Sequence, residues 1–119
     1  LTRPELAKLF GPESRAEVPF LANAARAGKP VRLAGRIDRL VVAPDHVLVV
    51  DFKSDADASL DPARVPAKYL AQLGLYALVA GQLFPGLEVR AAILWTSLES
   101  LLELSREALA EAASAFTMR

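Results

Sequence analysis

The sequence predicts a mixed α/β (α+β) domain in which helices pack on one sheet of about five strands. Two observations carry that expectation. Apolar segments with strand or helix patterning follow one another in the order strand, strand, strand, helix, strand, strand, helix, each bounded by turn residues such as Gly, Pro, Asp or Ser. The chain has 119 residues, 53% of them hydrophobic. At that size a fold hides roughly 65% of the surface its unfolded chain exposes, enough for a core of its own. With no cysteine, neither disulfides nor a cysteine zinc site contribute. A single domain over residues 1–119 is expected.

Leu1 to Pro12 is a short amphipathic stretch closed by Gly11 and Pro12, read as the tail of a helical region lying upstream. Arg15 to Ala25 suits a strand, and Pro19, with no N–H to give a ladder, suggests an edge position. Gly28 to Pro30 form a turn. Val31 to Val42 alternates as a strand does, with Asp38 as the charged exception. After a break at Ala43-Pro44-Asp45-His46, Val47 to Lys53 runs almost continuously apolar, the pattern of a strand covered on both faces. Ser54 to Pro62 is polar and turn-rich. A helix then starts at Pro66, a residue favoured in the first turn, and reaches Phe84, where Pro85 and Gly86 end it. Glu88 to Thr96 reads as another central strand, Ser97 to Ser100 as a turn and Leu101 to Leu104 as a short strand. Ser105 caps a last, alanine-rich helix reaching Phe116, which packs against the sheet or a partner subunit.

Lys+Arg and Asp+Glu each number 14, so the net charge is zero. That argues against a free-standing nucleic-acid binder, whose footprint is a basic excess. No apolar run reaches the ~18 to 20 residues of a membrane span, and the N-terminus lacks the layout of a secretory signal. A cytoplasmic protein with no membrane partner is expected. No Gly-rich phosphate loop is present, so no ATP site belongs to this segment. A start at Leu1 instead of Met suggests a piece of a longer protein.

The informative segment is the hairpin Gly35-Arg36-Ile37-Asp38 and Val49-Val50-Asp51-Phe52-Lys53, where charges interrupt apolar strands. If its turn is centred between Pro44 and Asp45, Asp38 lies directly opposite Asp51; a three-residue loop spoils that register. Like charges facing each other across two strands destabilise a sheet, so something must offset them. A divalent cation does so, because Mg²⁺ or Mn²⁺ prefers carboxylate oxygens and binds one or two of them plus waters and a phosphate. Lys53, two residues after Asp51, points to the same side. Two metal-binding carboxylates beside a lysine suit phosphodiester hydrolysis, the metal activating water and the lysine orienting it. The alternative is that both Asp residues form surface salt bridges with Arg36, Arg39 or Lys53.

Tyr69, Gln72 and Tyr76 share one helix face, polar where a core face is apolar. They either support the carboxylates or touch a nucleic-acid backbone, or form a half-buried shoulder with rings on the sheet. In the same register Arg36 comes opposite Lys53, to contact a phosphate or to neutralise Asp51. Arg26, Lys29, Arg32, Arg64 and Lys68 line a DNA channel or are simply dispersed surface charge. His46, the only histidine, reads as an exposed turn residue, and Trp95 as core with its N–H reaching an edge acceptor.

The ordered set Gly-Arg-Ile-Asp-Arg-Leu (35–40), Val-Asp-Phe-Lys-Ser (50–54) and Tyr-Leu-Ala-Gln-Leu-Gly-Leu-Tyr (69–76) resembles the nuclease domain of the RecB-like branch of the PD-(D/E)XK superfamily. It is most similar to the C-terminal nuclease domain of bacterial AddA helicase-nuclease subunits. Arg-Ala-Glu-Val-Pro-Phe (15–20) and Ala-Ala-Ile-Leu-Trp-Thr (91–96) look like the same family's flanks. The resemblance implies a restriction-endonuclease-like fold and a Mg²⁺- or Mn²⁺-dependent DNA exonuclease of double-strand break repair. The implied partners are single strands delivered by an attached helicase and an AddB-type subunit. It implies that Asp38, Asp51 and the Phe52 backbone carbonyl hold the metal, that Lys53 is the catalytic lysine, and that Gln72 and Tyr76 support the site and the DNA. The "PD" of the pattern is Asp38 alone, and the family's upstream His ligand has no match; Glu17 is the acidic candidate for that place, or an exposed strand residue. A catalytically silent domain that guides DNA or docks a partner subunit is the competing reading. A stand-alone nuclease with an iron-sulfur cluster is disfavoured by the missing cysteines.

Overall fold

Strand patterning dominates the first half of the chain, where two long hairpins form in succession. The structure is a computed structural model and describes Leu9 and residues 11–118. The lead-in helix expected over Leu1 to Pro12 lies, apart from Leu9, Gly11 and Pro12, outside the described residues. Strands β1 (Ser14–Arg26) and β2 (Lys29–Val42) pair antiparallel through a two-residue turn at Ala27-Gly28. Both turn residues have positive φ, 52° and 77°, the geometry whose twist matches the flanking strands. Ala27 is the poor fit there, because a Cβ opposes the left-handed conformation. Ala27→Asn is therefore expected to raise stability by roughly 1 kcal/mol, read as a higher urea midpoint at unchanged slope; an unchanged midpoint refutes it.

Strand β3 (His46–Lys53) returns alongside β2 through a two-residue loop, closed by the Ala43 N–H donating to the His46 carbonyl at 2.8 Å. The pairs Arg39 with Val50, Leu40 with Val49, Val41 with Leu48 and Val42 with Val47 are the register expected from the sequence. Helix α1 (Ala67–Leu83) then crosses over to β4 (Glu88–Trp95), which lies parallel to β3; β5 (Ser100–Leu104) turns back antiparallel. Helix α2 (Arg106–Ala112) is capped by the Ser105 hydroxyl, and β6 (Phe116–Met118) completes the sheet in the order β5-β4-β3-β2-β1-β6. The result is a mixed α+β architecture of the restriction-endonuclease-like kind.

The C-terminal part departs from the sequence reading in two ways. The sheet has six strands, because the last helix stops at Ala112 and Phe116 enters β6 instead of ending the helix. The open edge of β1 offers those residues ladder partners at Ala24, Ala25 and Arg26, and the Arg26 guanidinium lies 5.4 Å over the Phe116 ring. Pro19 keeps its edge position, since β6 covers only that far end of β1. The second correction concerns α2, which packs chiefly on α1. At Gly74 a Cβ would stand 3.0 Å from the Leu109 carbonyl oxygen and 3.3 Å from the Ala112 Cβ, so a side chain there would require α2 to give way.

The main core lies between the sheet and the helices and includes Ile37, Leu40, Val47, Val49, Leu73, Ile93, Trp95 and Leu109. Val41, Val50 and Leu94 gather with Leu9 in a separate cluster. Strand β3 thus buries both faces, as its continuous apolar run anticipated. Leu40 and Ile37, three residues apart on β2, both belong to the main core, so strict alternation is broken between them. At that rung Glu17 takes φ 49°, and Glu17 and Asp38 drop out of an otherwise continuous ladder. The interruption falls at Asp38, one step past the last β2–β3 pair. Among the described residues no helix is long and apolar enough to cross a membrane.

Candidate active site

Asp38 and Asp51 meet at the place where the β2–β3 ladder ends, one step beyond the Arg39–Val50 pair. In place of a further backbone bond, the Asp38 Oδ2 accepts the Phe52 N–H at 2.8 Å. Backbone groups of one residue point the same way in a strand, while the next residue's point the other way. The Lys53 carbonyl accepts from Thr96 N–H at 2.9 Å, just past β4, so the Phe52 carbonyl is aimed toward β2 and Asp38. Two carboxylates and one backbone oxygen thus converge on a short stretch of sheet.

Asp51 is only 3% exposed. Burial pushes its carboxyl up to about 6, the neighbouring Asp38 carboxyl adds to the rise, and the Lys53 ammonium opposes it. Lys53 Nζ stands 2.8 Å from Asp51 Oδ2, a buried oxygen that otherwise receives no well-aligned hydrogen bond among the described residues. The same ammonium donates to Gln72 Oε1 at 3.0 Å and lies 4.4 Å from the centre of the Tyr69 ring. Gln72 Nε2 in turn donates to the Tyr76 hydroxyl at 3.0 Å. The polar stripe of α1 is therefore turned onto the end of β3.

Tyr76 is seated by Phe20, edge-on at 5.5 Å between ring centres. The Phe20 ring crosses Gly35 on the neighbouring strand, where an added Cβ would stand 2.9 Å from its Cζ. Tyr69 donates its hydroxyl to both oxygens of Asp55, at 2.9 and 2.7 Å, and the Asp55 carboxylate holds that hydroxyl above its ordinary pKa. Asp55 is the residue the sequence reading missed. The signal was present, since Asp51, Lys53 and Asp55 are spaced by two and an extended backbone presents them on one side.

Other expected residues are placed elsewhere. Arg36 and Glu17 pair with each other at 3.7 Å on the surface, with side chains 63% and 73% exposed, and neither joins Lys53 or Asp51. Arg36 faces outward by strand alternation beside the buried Ile37, and Glu17 sits at the break in the ladder. Arg39 donates to Ser14 Oγ at 3.2 Å. Of the ion pairs weighed from the sequence, Lys53 with Asp51 is formed, and it is interior: the two side chains are 19% and 4% exposed. His46 opens β3 as a half-buried residue, its Nδ1 2.7 Å from Asp45 Oδ1, and is not an exposed turn residue. The Trp95 N–H, expected to reach an edge acceptor, is buried with no acceptor among the described residues, and its ring stands 6.1 Å from that of Tyr69. Arg26, Lys29 and Arg32 sit toward the tip of the first hairpin, while Arg64 and Lys68 flank the start of α1. A cleft of about 390 Å³ lies between the helices at Gly74 and Leu109, and one of about 870 Å³ lies beside Val41, Leu48 and Arg90; neither contains Asp51.

Described residues offer no group of three His, Cys, Asp or Glu that could hold a metal. The donor set present is Asp38, Asp51 and the Phe52 carbonyl, all hard oxygens. It fits Mg²⁺ or Mn²⁺, which bind through one or two carboxylates and take the rest from water and phosphate. It does not fit a softer metal that needs nitrogen or sulfur ligands.

The model of the PD-(D/E)XK nuclease superfamily matches residues 3–115 of the chain. Among solved structures, the crystal structure of SSO0001 superposes with a TM-score of 0.53 at 17% identity, covering 92% of this chain and 52% of that one. That likeness is one of fold, and the chain spans about half the length of the matched structure. No curated protein matches the chain.

Proposed function

Given that the chain belongs to the PD-(D/E)XK nuclease superfamily, we propose that it is a metal-dependent deoxyribonuclease domain whose site is formed by Asp38, Asp51 and Lys53. The observation that carries this reading is that Asp38 and Asp51 come together just past the last β2–β3 backbone pair, with Lys53 Nζ 2.8 Å from the buried Asp51 Oδ2. Nucleases of this superfamily generally use divalent metals. Asp38, Asp51 and the Phe52 carbonyl would hold Mg²⁺ or Mn²⁺; when bound, such an ion polarises a phosphoryl oxygen and acidifies water beside it.

Lys53 is held by Gln72 with its ammonium over Tyr69, where it orients the attacking water or the phosphate and neutralises charge as it develops. Hydrolysis joins the water oxygen to phosphorus, breaks the bond to the leaving oxygen and passes a proton to that oxygen. Asp51 must be ionised to ligate, and burial holds its carboxyl near 6, so affinity for the ion rises with pH through that value.

The ordered motifs and their flanks support placing the domain in the RecB-like branch, as an AddA-type exonuclease module. On that reading residues 1–119 form one nuclease domain, C-terminal in a larger cytoplasmic helicase-nuclease of double-strand break repair. An attached helicase delivers single strands to it, and an AddB-type subunit is its partner. Zero net charge suits a tethered module, whose DNA arrives by delivery instead of electrostatic capture.

A second reading, a silent domain for DNA guidance or subunit docking, is favoured by one observation: Asp51 is already tied to Lys53, with no third ligating side chain among the described residues. Calorimetric titration with Mn²⁺ at pH 8, alongside a cleavage assay on single-stranded DNA, separates the two. The nuclease reading expects Mn²⁺ heat and Mn²⁺-dependent cutting that both disappear in Asp38→Ala. No heat in the wild type, or the same heat and cutting in Asp38→Ala, overturns it.

A further inference from the structure

We propose that Asp55 and Tyr69 are positioning residues for Lys53, the Tyr69 ring acting as a platform for the ammonium and Asp55 locking that ring in place. The assignment rests on the nuclease reading for its consequence in catalysis, but its geometry stands apart from it. An ammonium on four methylenes is mobile, and a single ion pair does not fix it in one rotamer. Here Lys53 Nζ is restrained from three sides: Asp51 Oδ2 at 2.8 Å, Gln72 Oε1 at 3.0 Å and the face of Tyr69 at 4.4 Å. The first two are hydrogen-bonding or ionic partners that a phosphate or a metal competes for. The ring is not, since an aromatic face attracts a cation without being a ligand for either.

A tyrosine ring serves as a platform only if it stays where it is. Tyr69 rises from the first turn of α1, while Asp55 belongs to the polar segment that leaves β3. The two bonds from the Tyr69 hydroxyl to Asp55 Oδ1 and Oδ2, at 2.9 and 2.7 Å, tie helix to segment across 14 residues of chain. They also place an anion at the far end of the phenol, which increases the electron density that the ring presents to Lys53. Lys68 Nζ lies 5.3 Å from the same ring, and the Trp95 ring is 6.1 Å away. Asp55 thus acts on Lys53 through Tyr69 and touches neither the carboxylates nor Lys53 in any described contact.

The test uses the full chain with Mg²⁺ and a single-stranded DNA substrate, and NMR of the metal-free protein. Tyr69→Leu is expected to lower kcat about tenfold at unchanged KM, and Tyr69→Phe to restore most of it. Fluorinated phenylalanines at position 69, which keep the packing and drain the ring face, should lower kcat step by step with each fluorine. Asp55→Ala should resemble a mild Tyr69→Leu, and Asp55→Asn should rescue it because the amide oxygen still accepts the hydroxyl. In the NMR spectrum the Lys53 ε-methylene protons should lie upfield under the ring current and move back in Tyr69→Leu. If the wild type does not cut, the nuclease reading falls, and if Lys53→Ala cuts as fast as the wild type, Lys53 leaves the mechanism; in either case the NMR result still decides the geometry. If Lys53→Ala is inactive but kcat is flat across the fluorinated series and the Lys53 protons are unshifted, the positioning assignment alone is overturned.

Discussion

Replacing Asp51 by Asn is expected to cut DNA cleavage on the order of 10³-fold and, in metal-free buffer at pH 8, to raise the melting temperature by several degrees. The two effects have one cause. Burial and the adjoining Asp38 hold the Asp51 carboxyl near 6, above its ordinary 3.8. Between those values the folded protein binds more protons than the unfolded chain, so wild-type stability falls as pH rises from about 4 to about 6 and then levels off. Asn keeps the shape without the charge, and the variant should show no such fall. Its advantage over wild type is largest above pH 6 and disappears near pH 4. Mn²⁺ at pH 8 should raise the melting temperature of the wild type, since a ligand that binds only the folded state stabilises it, and leave Asp51→Asn unmoved. Thermal unfolding from pH 4 to 8 with and without Mn²⁺ measures all of this. An Asn variant less stable than wild type at pH 8 contradicts the account of Asp51 as a buried charge under strain.

Lys53→Met should lose cleavage by about 10²- to 10³-fold, the range for a preorganised group that stabilises developing charge, while keeping the Mn²⁺ stabilisation. The stability effect has the opposite sign to that of Asp51→Asn. Lys53 is the cation that opposes the rise in Asp51's proton affinity, and its removal leaves two carboxylates facing each other unneutralised. The metal-free variant should therefore melt below wild type at pH 8. The gap should narrow as pH drops from 8 toward 6, because without Lys53 the Asp51 carboxyl takes up its proton above that value. Mn²⁺ should restore more stability to Lys53→Met than it adds to wild type, because the ion supplies the missing positive charge. Cleavage assays paired with melting curves of both variants distinguish the roles: loss of cutting with metal binding intact for Lys53, and loss of both for Asp51. A Lys53→Met protein that cuts at the wild-type rate removes lysine from the mechanism.

Much of the geometry around the candidate site was legible in the sequence. The Pro44-Asp45 loop sets the register of β2 against β3, and a period of two then carries Asp38 to Asp51. Helical spacing put Gln72 and Tyr76 on one face with Tyr69, and that face does turn to Lys53. Asp55 was overlooked because it lies in a polar, turn-rich stretch where alternation is not expected, although its spacing from Lys53 gave it away. Glu17 and Arg36 were legible as charged residues near the site but not as each other's partners. Glu17 sits at an interruption of the ladder with positive φ, a backbone conformation that a glutamate does not announce, and pairs there with Arg36. The extra strand β6 depended on an open edge of β1, nearly the whole chain length away.

Element order, the hairpin register and the candidate carboxylates followed from the sequence alone, because periodicity, turn chemistry and charge in an apolar strand are local properties. Only the tertiary structure decided that Asp51 is buried and holds its proton up to about 6, and that Lys53 is gripped by Gln72 and Tyr69. Desolvation and ion-pair geometry are set by residues remote in the chain. For Asp51 and Lys53 they come from a helix that begins 14 residues beyond Lys53 and packs its polar stripe onto the end of β3.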